Sequence, residues 1–225
     1  MGLLVALLVL VPAALFGQTL AFPGAQGFGQ YATGGRNGSV YHVTSLADDG
    51  SAGTFRVAVG SPNRIIVFDV GGYINLGSAV SAASNLTIAG QTAPGGGIGL
   101  QGAELSFYGR TNIICRHLRV RQGGSSTSQS GISIGSASGA ATEAGNMIFD
   151  HVSVEFGQWD SIDAVNTVNF TIQNCIIADP INQQFGAHVE GGNASYVNNL
   201  WVNAHNRQPL AKANTVYLNT QASGH

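Results

Sequence analysis

Charge is scarce in this chain. Only 9% of its 225 residues are Asp, Glu, Lys or Arg, the net charge is −2, and lysine occurs once, at Lys212. So few cations exclude the phosphate-neutralising surface that nucleic acid demands. Leucine is too thinly spread for a leucine-rich ladder, and no long stretch carries helical periodicity, which removes the helical repeat architectures. Two cysteines cannot supply a disulfide scaffold. The one extended apolar run, GLLVALLVLVPAALF, is interrupted by Pro12 and is too short for a membrane span. It reads as a secretory signal peptide over residues 1–21, with Thr19, Leu20 and Ala21 forming a small-residue cleavage site before Phe22. The remainder, 22–225, is expected to be one secreted domain, free of the membrane after cleavage.

What the chain has instead is glycine, 32 residues of it, and a repeat. The clearest copy is NMIFDHVSV from Asn146: an Asn, three mostly apolar residues, a variable one, then His or Asn in sixth place. Asn112 and His117 mark it in NIICRHLRV, Asn169 and Asn174 in NFTIQNCII, and Asn214 and Asn219 in NTVYLN. Weaker copies begin at Asn85 and Ala194, so successive starts lie 27, 34, 23, 25 and 20 residues apart. Each copy is a short β-branched or aromatic run bounded by Gly, Asn and Ser, which predicts a strand. Strand-like runs recur between copies in GGGIGL, GISI, SIDAV and FGAHV. Irregular repeats of this period built from short strands and Gly-rich bends predict an all-β solenoid, a parallel β-helix with one strand of each turn stacked on the next. A β-sandwich does not require the same Asn at the same place.

The stacking has consequences for cysteine and for glycosylation. Cys115 and Cys175 fall two turns apart and in different columns, about 9–10 Å along the axis, beyond the reach of a disulfide. They replace apolar residues and are expected to be buried free thiols. Sequons occur at Asn37, Asn85, Asn169 and Asn193. Two of these belong to the Asn column, which leaves Asn37 and Asn193 as the expected acceptors.

Read in order from Phe22, the segments FPGAQGFG, ATGGR, VYHVT, NRIIVFDVGG, LTIAGQTAPGGG, FDHVSV and RQPLAK resemble the secreted polysaccharide lyases of the pectate lyase superfamily. The resemblance runs to about Lys212 and includes the order of the segments. It implies a right-handed single-stranded parallel β-helix and Ca²⁺-assisted cleavage of polygalacturonate or pectin by β-elimination. The partner implied is acidic plant cell-wall polysaccharide, acted on by a monomer. The last turn, NTVYLNTQASGH, opens without a polar capping segment, so the solenoid is expected to stop short of where that family continues.

Such chemistry needs a base for the proton alpha to a uronate carboxylate and a positive centre for the charge that develops. Counting along the repeat puts Asp160, Gln183 and Arg207 in nearly one column on three turns. Asp160 and Arg207 would then lie about 10 Å apart, with room for a cation and one sugar ring between them. Arg207 matches the first Arg of the family's Arg-x-Pro-x-x-Arg motif, the proposed base, and Lys212 replaces the second. Asp160 resembles a calcium-ligating Asp, and Asp163 is near enough to assist. Ser130 stands where another acidic ligand is expected, and Gln183 or Gln184 where relatives carry a substrate-binding Lys. His188 is a further candidate contact to substrate. Arg119 and Arg121 alternate with apolar residues on one strand and form a second candidate grip on a polyanion. Asp150 and His151 read as structural. Two other classes compete: a β-helix that binds acidic polysaccharide without cleaving it, and a glycoside hydrolase, for which no well-spaced carboxylate pair is apparent.

Overall fold

The computed structural model describes residues 18–124, 128–137, 144–212, 215–218 and 221–223, the last two ranges as backbone only. Asn214 and Asn219, and all but the end of the expected signal peptide, lie outside them, while the strand between those two Asn, Thr215–Leu218, pairs with Ala194–Val197. Every strand pairing among the described residues is parallel, as in the pairs 86–89 with 113–116 and 147–150 with 170–173. The strands form a 13-stranded and a 7-stranded sheet. The fold is therefore the parallel β-helix expected from the repeat.

Each turn has three faces. The first carries Asn-initiated strands such as Leu86–Ala89, Thr111–Arg116, Ala144–Asp150 and Ala194–Val197. The second is the smaller sheet, with Ile98–Gln101, Leu118–Arg121, Ser153–Glu155, Ile176–Ala178 and Leu200–Val202. The third includes Leu105–Ser106, Ile132–Ser133, the start of Asp160–Gln173, and Phe185–Gly191. Of the in-between runs picked out by sequence, GGGIGL lies on the second face and the other three on the third.

The Asn signature marks bends as well as a ladder. Asn85, Asn112, Asn146 and Asn169 all have φ between 52° and 61°, as do the sixth-place residues His117, His151, Asn174 and Asn198 at 53–54°. Asn tolerates this left-handed conformation better than most residues with a side chain. The amides then stack: Asn112 Nδ2 donates to Asn85 Oδ1 at 2.8 Å, and Asn193 Nδ2 to Asn169 Oδ1 at 3.0 Å. Because Phe170 pairs with Ala194, the fifth repeat begins at Asn193 rather than Ala194. Asn193 is thus inside the column, not outside it as the sequon reading had it.

Inward side chains between the bends fill one main core, while Ile114 and Ile148 pack outward against Ala25 and Ala32 in a second, smaller cluster. Ile88, Cys115, Phe149, Ile172 and Tyr196 form a continuous buried column, as the repeat predicted for the first four. Both cysteines are free and buried. A short helix, Phe55–Val59, adds Phe55, Ala58 and Val59 to the same core, with Phe55 stacked on Phe68. No helix among the described residues is long and apolar enough to cross a membrane.

The segment from Phe22 to Gly35 lies across the first face. Gln26, Phe28, Gly29 and Gly35 donate backbone N–H groups to Gln173, Ser195, Thr171 and Thr87. The approach is backbone to backbone. A Cβ on Gly29 would sit 2.0 Å from the carbonyl oxygen of Met147, and one on Gly35 at 2.0 Å from that of Arg64. Contacts that short explain the glycines of FPGAQGFG and ATGGR, and they leave the first face sealed.

Candidate active site

The third face gathers most of the residues singled out for chemistry. Ile162 and Ala187 point into the core, so the alternating positions Asp163, His188 and Glu190 point out. Two turns earlier Glu104 flanks buried Leu105 in the same way. Asp160 begins its strand on the inward alternation and is fully buried.

Arg207 does not stand 10 Å from Asp160. Its Nη1 donates to both carboxylate oxygens, each at 3.0 Å, and its guanidinium lies 3.9 Å over the ring of Phe185. The backbones are two rungs apart, since Asp160 pairs with Phe185 and Phe185 bridges to Asn206. The long Arg side chain reaches back across the intervening rung and closes the gap assigned to a cation and a sugar. Gln183 is not the residue between them. Its N–H donates to the carbonyl of Gln158, two positions before Asp160, and it is Phe185 that pairs with Asp160.

Electrostatics on this face is dominated by acids. Burial pushes the Asp160 carboxyl up to about 6, against the opposing effect of Arg207. Burial also raises Asp163, with Glu190 adding repulsion, and raises Glu104, with Asp163 adding repulsion. Glu190 goes the other way, held low by the Lys212 ammonium and by His188, whose Nε2 lies 2.7 Å from Oε1. Four carboxylates thus face two basic side chains, and both are already paired, Arg207 with Asp160 and Lys212 with Glu190. Trp159, 39% exposed, packs edge-on against Phe185 and adds an apolar surface beside the pair.

The donor chemistry suits a hard divalent ion: Glu104 and Asp163 are oxygen donors raised mainly by burial and further by an acidic neighbour, Asp163 for the first and Glu190 for the second, a repulsion that a cation would reverse. Asp160 does not fit that role while both its oxygens accept from Arg207. Ser130 is buried, and its N–H donates to Glu104 Oε2 at 3.0 Å, so it positions the acid rather than replacing one. Glu104 and Glu190 were missed from sequence. Glu190 was within reach, following His188 at i+2 on the same alternation. Glu104 was not, because its rung is set by loop lengths that the repeat does not reveal.

Arg119 and Arg121 do share the outer face of one strand, but on the second face, away from Asp160 and Arg207. Arg119 lies 4.8 Å over the Tyr73 ring, and Arg121 pairs with Glu155 at 2.8 Å. An open depression of about 560 Å³ runs past Arg121, Tyr73 and Phe156. Asp150 has the structural part expected of it: buried, it accepts from Arg116, Gln173 and Asn174 and lies 3.0 Å from His151 Nδ1.

The fold and this face define a parallel β-helix with an acidic, cation-ready surface beside a tethered arginine. No family model matches the chain. Among curated proteins it is 41% identical over 204 residues to a protein named probable pectate lyase C of Emericella nidulans, covering 89% of this chain and 47% of that one. The like-named protein of Aspergillus fumigatus is 40% identical over 220 residues, covering 94% and 50%. The chain spans about half the length of these curated relatives. Among solved structures, the major cedar pollen allergen superposes with a TM-score of 0.63 at 18% identity, covering 85% of this chain and 62% of that one. A Bacillus pectate lyase in complex with trigalacturonate gives 0.61 at 15%, covering 88% and 68%. Over the length it spans, the chain is similar in sequence to proteins named pectate lyase and shares the fold of a solved pectate lyase.

Proposed function

We propose that the protein is a secreted, Ca²⁺-assisted polysaccharide lyase that cleaves polygalacturonate or pectin by β-elimination. The observation that carries this reading is the excess of carboxylate on the third face. A polyuronate would be repelled by Glu104, Asp163 and Glu190 unless a divalent cation lay between the two sets of acids. Glu104 and Asp163 are the residues that would hold it, with the uronate carboxylate completing the shell. When bound, the cation neutralises the substrate carboxylate and eases loss of the neighbouring proton. Trp159 and Phe185 offer a flat apolar surface for the sugar ring.

Arg207 is the residue assigned to the C5 proton. Both of its bonds to Asp160 are made by Nη1, and the Phe185 ring supports the guanidinium plane. That leaves Nη2, in its neutral form, to accept the proton. The C5–H electrons form the C4=C5 double bond, the C4–O4 bond breaks, and the departing oxygen takes a proton from water. Lys212 and His188 flank Glu190 and serve substrate contact rather than chemistry.

A second reading is favoured by one observation. Arg207, Lys212 and Arg121 are each spent on an internal acid, as in a protein that binds acidic polysaccharide without cleaving it. Ultraviolet absorbance of the unsaturated uronate, followed on polygalacturonate with Ca²⁺ and with a chelator, separates the readings. A chelator-sensitive rise is expected. Retardation in a polygalacturonate gel with no absorbance would leave the binder, and new reducing ends without absorbance would overturn the lyase reading. Arg207→Ala is expected to lower the rate about 10²–10⁴-fold, the range for losing a general base.

A further inference from the structure

The sixth-place bend column reads Gly90, His117, His151, Asn174, Asn198 from turn to turn. Two consecutive turns carry imidazoles where later turns carry amides. The rings of His117 and His151 are stacked with centroids 4.7 Å apart and planes 19° from parallel. With Asp150 they form a cluster whose ligating atoms all lie within 4.8 Å of one another.

We propose that His117 and His151 form a two-imidazole site for a borderline divalent transition ion of the Zn²⁺, Ni²⁺ or Cu²⁺ class. Asp150 is the orienting carboxylate, not a ligand. Its Oδ2 already accepts from Arg116 at 2.8 Å and its Oδ1 from Gln173 and Asn174 at 2.8 and 2.9 Å. The 3.0 Å contact from His151 Nδ1 to that carboxylate requires Nδ1 to carry the proton, because an ionised carboxylate only accepts. Nε2 of His151 is then the unprotonated, ligating nitrogen. A carboxylate behind a ligating histidine is the usual arrangement for fixing tautomer and ring orientation at a metal. The backbone of His117 is held at its bend by its main-chain N–H, which donates to the Asp150 carbonyl at 3.1 Å, and its ring rests on that of His151.

Space for the rest of the shell is present. Gly90 leaves the preceding place in the column without a side chain. Beside it lies an open depression of about 450 Å³, lined by Gly95, Gly96, Gly97, Arg119, His117 and His151. Two metal–nitrogen bonds of about 2.0–2.1 Å bridge donors up to roughly 4 Å apart. Binding requires the half-exposed His151 ring to tilt out of the stack about its Nδ1 contact to Asp150, so that the in-plane lone pairs of the two rings converge on the ion, with water from the depression filling the open positions. Oxygen-seeking Ca²⁺ has no carboxylate free here, so this site is separate from the third face and does not rest on the lyase reading.

Calorimetry with ZnCl₂ on the intact chain tests it, alongside His117→Asn, His151→Asn and His188→Asn. Asn is the residue of the later turns at this bend, so the first two variants keep the left-handed conformation, and unchanged melting checks that they fold. One Zn²⁺ per chain is expected, lost in each of the first two variants and kept in the third. No heat with the wild type, or heat that survives both column variants, would overturn the site. Should those variants misfold, Cu²⁺ added to the wild type reads the same question by NMR. Selective broadening of the His117 and His151 ring signals supports the site, and broadening that spares them rejects it.

Discussion

Two buried aspartates of this protein each hold an arginine, and burial leaves them in opposite states. Asp150, between the first and second faces, is pushed up by burial. Asn174, Gln173, His151 and Arg116 then donate to it and bring it below the ordinary carboxylate range. Asp160, at the start of the third face, has Arg207 as its hydrogen-bonding partner and is left at about 6. The first is a carboxylate with its bonding capacity filled, and its charge is part of the fold. The second is desolvated faster than it is compensated, which is the state expected of groups held for function. The difference also follows the covering of the molecule. Phe22, from the segment sealing the first face, packs over Arg116 at 3.9 Å, whereas Arg207 rests on a ring of its own face.

Removing the two carboxylates should therefore have unequal effects on stability. Asp150→Ala strands Arg116, Gln173 and Asn174 without an acceptor, and breaking such a buried pair costs about 3–5 kcal/mol. Asp160→Asn, measured by the same urea denaturation at pH 8, should be neutral or stabilising. It removes a costly charge while an amide oxygen still accepts from Arg207. Equal losses in the two variants would erase the distinction.

The pH profile sharpens it further. Asp160 has a folded value of about 6 against 3.8 for the free group. A raised acid stabilises the folded state below its unfolded value, and that contribution is lost as pH rises through about 6. The change is on the order of 3 kcal/mol at most. Asp150 has the opposite sign: its contribution is present above the unfolded value and disappears as pH falls through its lowered one. Stability should thus rise as pH is lowered from 8 towards 5 and fall again at lower pH. Asp160→Asn should flatten the upper limb only, which urea midpoints across that range would detect.

The sequence made one side of this comparison far more legible than the other. The core column Ile88, Cys115, Phe149, Ile172 follows from alternation and the Asn spacing alone. So does the structural reading of Asp150, since it stands in the repeat. The left-handed bends that select Asn and His were not apparent, because a ladder accounts for the same letters. On the third face the repeat count failed. Asp160 and Arg207 are joined by a side chain crossing a rung, and Gln183 was displaced by a loop of different length. Backbone spacing along a solenoid axis locates a turn, and it does not say how far a long side chain reaches along the column. Glu104 was invisible for a related reason: its neighbours in space come from turns that no motif aligns.

The smallest expected effect concerns Ca²⁺ on the third face. Glu104 and Asp163 are the outward-facing acids raised by burial and by an acidic neighbour, whereas Asp160 faces inward and is committed to Arg207. Two carboxylates with the remaining shell left to water or substrate make a weak site, in the range of about 10⁻⁴–10⁻³ M found for extracellular modules. Calorimetry on the substrate-free protein should accordingly show little heat at micromolar Ca²⁺ and a shallow isotherm at millimolar. Glu104→Gln and Asp163→Asn should each weaken that binding. Asp160→Asn should leave it nearly unchanged, because the lost charge was already neutralised by a guanidinium. Strong dependence on Asp160 would instead mean that Arg207 releases it when the cation arrives, and the two aspartates would then differ in mobility as well as in charge.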